Sequence, residues 1–545
     1  QYNNRDGIGF GERGEIVSTA GNISLVGEGG PGFGNGIDNP NITSLGDDKS
    51  TAATITVVGT GSDQGGSGVL VVSGSAESPN ISTVAGDIYI QGTGGSGTGS
   101  RYRGVYLANA YIESTGETKE HAGEISIVGT GGNGTSELIG VDFRSSQSDV
   151  ISKAGDVSII GTAGVGTGGQ NFGVQMRDAS LIRSTGTDAD AANSHVEGTS
   201  DSTWGVFLAS GRIESAGPGL IDITATGIGN GTVDDLFVTG ASVLGGDGST
   251  ADIGLTLDSL GMQAPSVVQT SGDVVLQTRS AGTTVGLGDG VGGLSIDNAE
   301  LALFDAGLNS LSIGSEAFPV SSVDLNGVAL AAPLSINALG VTDQSGVDVS
   351  SPSTLTFGTV ATPGAPLGQL QVDGDLVLAS GNTLRLNVEG SLPSDGVTGH
   401  DQINLTGSLK IEPGSILDLN SSTGYLPAED QQYVIIENEG ADPVEGIFAG
   451  LPEGAVIENF LGSPLNARIS YLGRDGASGN DVVLTTTNLL NPIYDFSLAE
   501  YSLVEGDIVA TANVVMILRS EETTIPTSVD VVLTAQTATS GIDFA

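Results

Sequence analysis

The stretch GEISIVGTGG, from Gly123 to Gly132, decides how this chain folds. Ile125 and Ile127 flank Ser126, so one face of an extended segment is apolar and the other small and polar. A glycine run then stops it. The same pattern returns as GNISLVGEGG from Gly21, TITVVGTG from Thr54, GDIYIQGTGG from Gly86 and GDVSIIGTAG from Gly155. Repetition at such a period marks a stacked architecture, in which each unit buries its apolar face against the next.

Two more segments recur in each unit. GVYLANA at Gly104, GVQMRDA at Gly173 and GVFLASG at Gly205 form the first, and YIEST at Tyr111, LIRST at Leu181 and RIESA at Arg212 the second. A glycine followed by an apolar residue opens a short run at Gly7, Gly36, Gly68, Gly104, Gly140, Gly173 and Gly205, in steps of 29, 32, 36, 36, 33 and 32 residues. Three short strands per unit, each ended by Gly, Asn or Ser, predict one triangular coil of a right-handed parallel β-helix, stacked ~4.8 Å above the last. Inward positions then favour Val, Ile, Leu and Ala, and corners favour Gly and Asn. No helix is needed anywhere.

The expected division follows these patterns. Residues 1–250 form a solenoid of ~32-residue coils. Residues 251–390 continue it in tighter coils, through GDVVLQT at Gly272, GLSIDNAELALF at Gly293, NSLSIG at Asn309 and GDLVLASGNTLRLNVEG at Gly374; a separate β-sandwich is the alternative. Residues 391–490 form a β-rich C-terminal module, and residues 491–545 begin a β-sandwich.

Composition narrows the partners. Glycine fills 87 of 545 positions, and 17 basic residues face 64 acidic ones, a net charge of −47. Such a field repels nucleic acid and anionic membrane and attracts divalent cations. Cysteine is absent, which removes disulfides, thiolate metal sites and cysteine nucleophiles together. The longest apolar runs, such as Val514 to Leu518, are five or six residues, far short of the ~20 of a membrane helix. The first residue is Gln1, which points to a processed or excised part of a longer chain.

Residues 1 to about 389 resemble the β-helical passenger of filamentous-haemagglutinin-type and autotransporter adhesins, in the AGxIxIxGTG and GVxLxxAxIxS units quoted above. The resemblance implies a secreted bacterial surface protein. HDQINLTGSLKIEPGSILDLN from His400, QYVIIENEGADPVEGIFAGLPEGAVI from Gln432 and ISYLGRDGASGNDVVLT from Ile469 are similar to the C-terminal module that closes the solenoid in large autotransporter-like proteins. That family usually reads Gly-Gly-Asp-Gly-Asn-Asp where this chain has Arg474 after Gly473 and Ala477-Ser478-Gly479 before Asn480-Asp481. From Phe496 to Ala545 the chain is similar to the first half of a Calx-beta domain, which implies Glu505 and Asp543 as residues near calcium, with Phe544 where the family has tyrosine.

Several motifs carry potential chemistry. Gly92 to Gly97 and Gly129 to Gly134 satisfy G-x-G-x-x-G, but strand and more glycine follow where a nucleotide loop needs a helix, so they read as corners. His121, His195 and His400 are isolated, and no nucleophile elbow accompanies them. Acidic neighbours at Asp142/Asp149, Asp188/Asp190 and Asp234/Asp235 raise a polysaccharide-active enzyme as a rival reading. Bases such as Arg183 and Arg212 look too few and scattered for a lyase, and no catalytic residue is expected. Tyr106, Tyr111 and Trp204 are the candidate ligand contacts, Trp204 following a long polar insertion from Thr187 to Thr203. Acids beside glycine at Asp47/Asp48, Asp234/Asp235, Asp289 and Asp475/Asp481 suit weak calcium sites. The sequence thus predicts a non-enzymatic extracellular rod on a bacterial surface that binds a cell-surface glycan or protein receptor through many weak contacts, or copies of itself as a fibre or sheath.

Overall fold

The computed structural model describes residues 5–11, 14–72, 80–228, 233–343, 349–363, 367–394, 396–440, 442–473, 479–488, 493–496 and 517–520. Three strands per coil build three parallel sheets. The first runs through nine strands from Ile8–Gly9 to Leu260–Met262, and the second through nine from Ile16–Ser18 to Val267–Gln269. The third begins at Ile23–Glu28 and passes through Ile55–Thr60, Ile88–Thr93, Ile125–Thr130 and Val157–Thr162. In the coils up to Val267–Gln269 each strand pairs in parallel with its equivalent one coil away, the arrangement of a parallel β-helix.

Alternation does the positioning. In Ile125–Thr130 the residues Ile125, Ile127 and Gly129 are buried, whereas Ser126, Val128 and Thr130 face out. Pairing in strict register stacks like on like. One inward column climbs from Ile23 through Ile55, Ile88, Ile125, Val157, Ser194, Ile221 and Ile253 to Val274. It continues through Leu311, Leu334, Leu355 and Leu376 to Leu409 without a break. All of these residues except Ser194 belong to one apolar core, whose burial is the main force holding the coils together.

The corners obey two different rules. Between the first and second sheets, Asn39, Asn109, Ser145, Asp178, Ser210 and Gly240 occupy the same place in different coils, all with φ between 50° and 91°. Asn, Asp and Ser tolerate this left-handed conformation because their short polar groups bond the nearby backbone; the Asn39 amide oxygen accepts from the N–H of Val72 at 3.0 Å. Between the third and first sheets the need is for space. A Cβ on Gly59, Gly129 or Gly161 would lie 2.0 Å from the carbonyl oxygen of Gly68, Gly140 or Gly173 respectively. The GTG motif is a backbone-to-backbone contact between two walls of one coil.

Tighter winding follows. Ile253 pairs with Val274, Leu334 with Leu355 and Leu355 with Leu376, steps of 21 residues where earlier coils take 27 to 37, but Val274 pairs with Leu311 across 37 and Leu376 with Leu409 across 33, so the tightening is not uniform. Parallel pairing persists, against the β-sandwich alternative. The expectation of no helix is corrected here. In GLSIDNAELALF only Leu294–Ile296 is strand; Asp297 then caps the single helical turn Asn298–Leu301, accepting from the Glu300 N–H while Glu300 accepts from the Asp297 N–H. This reciprocal capping box satisfies the free amides at the turn's start, and Leu301 still reaches the core. A second short turn, of 3₁₀ type, spans Phe460–Gly462.

The parallel stack ends in antiparallel strands. Val482–Thr487 pairs antiparallel with Gln432–Asn438 on one side and Asn466–Ser470 on the other, and Val456–Ile457 extends the hairpin. Beyond it, Ile493–Phe496 pairs antiparallel with Ile517–Ser520.

Candidate functional site

The outward face of the first sheet carries most of the unusual chemistry. One column runs through Leu70, Tyr106, Asp142, Gln175, Phe207 and Phe237, each the second residue after a corner glycine apart from Phe237, where Asp235 takes the glycine's place. Tyr106 is half-buried at an outward position, as its alternation implied, with the Arg103 guanidinium 4.6 Å from its ring centroid. Arg103 donates to Asp142 at 2.5 Å and to Glu137 at 2.5 Å, and Arg144 donates to Asp142 at 3.0 Å. Asp142 is fully buried; that burial raises its pKa while the two guanidinium groups oppose the shift. The network is internally neutralised and therefore holds the coil-to-coil loops down over this face.

Trp204 lies farther along the same wall, in a stack rather than as an isolated lid. Its ring centroid is 5.1 Å from Phe207 and 5.1 Å from Phe237, with interplanar angles of 16° and 15°, and 5.5 Å from Phe172. Near-parallel rings turn their faces to each other. Arg177 sits 5.6 Å from the Phe207 centroid, and a Cβ at Gly261 would come within 2.7 Å of Phe237, so the end faces of the stack are also occupied. Phe207 and Phe237 escaped the sequence reading; aligning the residue one place before each inward Leu, Met or Val of the GVxL unit would have found both.

The polar insertion from Thr187 to Thr203 is corrected. Its second half, Ser194–Thr199, is a full strand of the third sheet, in register with Val157–Thr162. Its polarity hid it, because Ser194 and His195 replace the usual opening apolar-polar pair. His195 Nδ1 lies 2.8 Å from Asp222 and Nε2 3.7 Å from Glu197, and the hydrogen bond to Asp222 raises the histidine's pKa.

Tyr111 is placed inside, only 7% exposed, on the second sheet. Burial first, and Glu113 second, push its hydroxyl up to about 12. Asp149 stands opposite it in the next coil and is pushed up to about 6 by burial, against the pull of Arg212. Asp142 and Asp149 thus lie on different sheets and do not form a carboxylate pair. Arg183 and Arg212, which looked scattered, are neighbours in adjacent coils and both pair with Glu214.

The calcium candidates are less convergent. Asp475, Glu505 and Asp543 lie outside the described residues. Asp481 accepts from the Asn438 N–H at 3.0 Å, Asp48 from Ser50, and buried Asp235 from Gly227 and Asp258 at 2.6 and 2.7 Å. Among the described residues no three His, Cys, Asp or Glu side chains group as a metal site, and no helix is long and apolar enough to cross a membrane. The G-x-G-x-x-G motifs are corner glycines: a Cβ at Gly92 would lie 2.1 Å from the Gly104 carbonyl oxygen. No protein-family model matches the chain, and no curated protein matches it.

Proposed function

We propose that this chain is the rigid section of an extracellular bacterial surface protein, whose outward side-chain columns make many weak contacts to a cell-surface glycan or receptor. The observation that supports the reading is the single inward column from Ile23 to Leu409: an aliphatic axis, interrupted only at Ser194, stacks the coils into one stiff body. Its charge favours life among cations and away from nucleic acid. The aromatic stack and the Arg103 network brace loops instead of leaving an open catalytic cleft, so binding is favoured over catalysis. Calcium enters only as a weak stabiliser at acids beside glycine turns, which differential scanning calorimetry with and without chelator tests.

Negative-stain microscopy of the pure chain, followed by binding of chain-coated beads to cells and immobilised glycans, tests the main reading. Single short rods that retain beads are expected. Long fibres would favour self-assembly into a sheath, and depolymerisation of a glycan would establish the polysaccharide-active alternative in its place.

A further inference from the structure

The third sheet has an outward face that contradicts the composition of the rest of the chain. Its strands Ile55–Thr60, Ile88–Thr93, Ile125–Thr130 and Val157–Thr162 each point three side chains outward. These are Thr56, Val58 and Thr60; Tyr89, Gln91 and Thr93; Ser126, Val128 and Thr130; Ser158, Ile160 and Thr162. None is charged, in a chain with 64 acidic residues. The charges stand at the border, where Asp87, Glu124 and Asp156 precede their strands and Lys49 and Lys119 lie 3.2 to 3.9 Å from them.

Register makes this face periodic. Thr60, Thr93, Thr130, Thr162, Thr199 and Thr226 form one column through six coils, and its uncharged part spans the first four, bounded by Glu28 opposite Thr60 on one side and by His195, Glu197 and Asp222 on the other. Thr60, Thr93, Thr130 and Thr162 are exposed. Among the described residues the hydroxyls of Thr93, Thr130 and Thr162 have no protein hydrogen-bond partner. Each presents a donor and acceptors at intervals of ~4.8 Å, beside a parallel column of Val58, Gln91, Val128 and Ile160.

We propose that this face binds a neutral, extended polysaccharide lying along the solenoid axis, one sugar ring per coil. The inference rests on the glycan-binding reading above and assigns it a surface. Three features select the occupant. The step between coils is about the length of one pyranose ring in an extended chain, so each ring meets an equivalent threonine. The absence of charge on the face, inside a strongly negative field, disfavours acidic glycans. The face covers roughly 300 Å², taking strands ~4.8 Å apart and alternate residues ~6.6 Å apart, well below the ~800 Å² per partner of a stable protein complex. A thin repeating chain fits it better than a second protein.

Affinity electrophoresis of the whole chain in gels containing β-1,3-glucan, xyloglucan or galactomannan, against polygalacturonate, tests this. Retardation by at least one neutral polymer and none by polygalacturonate is expected, with competing oligosaccharides gaining potency from two to four rings and levelling off beyond. Thr93→Glu/Thr130→Glu should weaken binding at least ten-fold, and Thr130→Val should weaken it less, with unchanged far-ultraviolet circular dichroism; Thr239→Glu on the first sheet should leave it intact. Should the double variant fail to fold, Thr130→Val and the competition series carry the test. No retardation in any neutral gel overturns the proposal, as does a monosaccharide competing as well as a tetrasaccharide. Retardation that survives the threonine substitutions overturns this face while leaving glycan binding elsewhere on the rod.

Discussion

Glycine and serine act here through single atoms. The Cβ that Gly129→Ala introduces meets the Gly140 carbonyl oxygen at 2.0 Å, backbone that cannot swing aside, whereas Gly169 has open space around it. Gly129→Ala should therefore destabilise the surrounding coils by roughly 1–3 kcal/mol, the usual cost of overpacking, and Gly169→Ala should be close to neutral; urea denaturation of the two variants compares them directly. Titration operates at the same scale. Burial pushes Asp401 and Glu300 up to about 7 and Asp149 up to about 6. A carboxyl raised in the folded state binds its proton more tightly there than in the unfolded chain, so these groups add stability as pH falls from about 8 towards 4. His195, raised by Asp222, works in the same direction: its contribution is full below the ordinary histidine range and lost as pH rises through the raised value. Glu389 opposes them. Burial alone would raise it, but the hydroxyls of Thr423, Ser422 and Ser421 and the Ser422 N–H outweigh burial and hold it at about 2, so its contribution disappears as pH drops from the ordinary carboxylate range to that value. Thermal melting across pH 3–8 should peak near pH 4–5. Asp401→Asn, whose single oxygen can accept from only one of the Gly368 and Asn387 N–H groups that Oδ1 and Oδ2 now serve separately, should lower overall stability and flatten the upper limb.

The strand is the unit that shields the stack. Gln432–Asn438 is a ladder strand whose open side is covered by the antiparallel strand Val482–Thr487, and an uncovered edge invites pairing with other chains. Val483→Pro puts a residue without an N–H into the strand that covers Val434, so concentration-dependent oligomers should appear in light scattering after size exclusion. Legibility also varied by element. Strands with the IxIxGT pattern were readable because an inward Ile must recur at every second position, and the corner glycines because they stop that pattern. Ser194–Thr199 was not readable, since one serine in an inward place breaks the periodicity that marks a strand, although its partners on both sides hold it in register. The Asn298–Leu301 turn was hidden for the opposite reason: an apolar run continued through it, and only the Asp297/Glu300 spacing marks the cap. Candidate site residues fared less well. Tyr106 was placed outward by alternation, but Tyr111 begins its strand at a corner, where alternation does not say which way a ring turns.

The whole molecule behaves as a one-dimensional stack, in which each coil is stabilised by its two neighbours. The inward column makes thirteen steps between Ile23 and Leu409, roughly 60 Å of axis at ~4.8 Å per coil, and eleven of its fourteen members are Ile or Leu, the others being Val157, Val274 and the one polar member, Ser194. Ser194 is 2% exposed and its hydroxyl, buried, finds no partner, so this coil carries both a lost aliphatic contact and an unsatisfied polar group. In a linear stack such a defect weakens two interfaces, with Val157 below and Ile221 above. Ser194→Val should remove the hydroxyl and restore the column, raising local stability by about 1–3 kcal/mol, the range for an unsatisfied buried group. Hydrogen exchange reads the effect in place: amides of Val157–Thr162 and Ile221–Thr226 should exchange more slowly in the variant, and those around Ile23–Glu28, five coils away, should not change. Slowing spread evenly along the axis would mean that the rod unfolds as one cooperative body, and the nearest-neighbour account of its stiffness would fail.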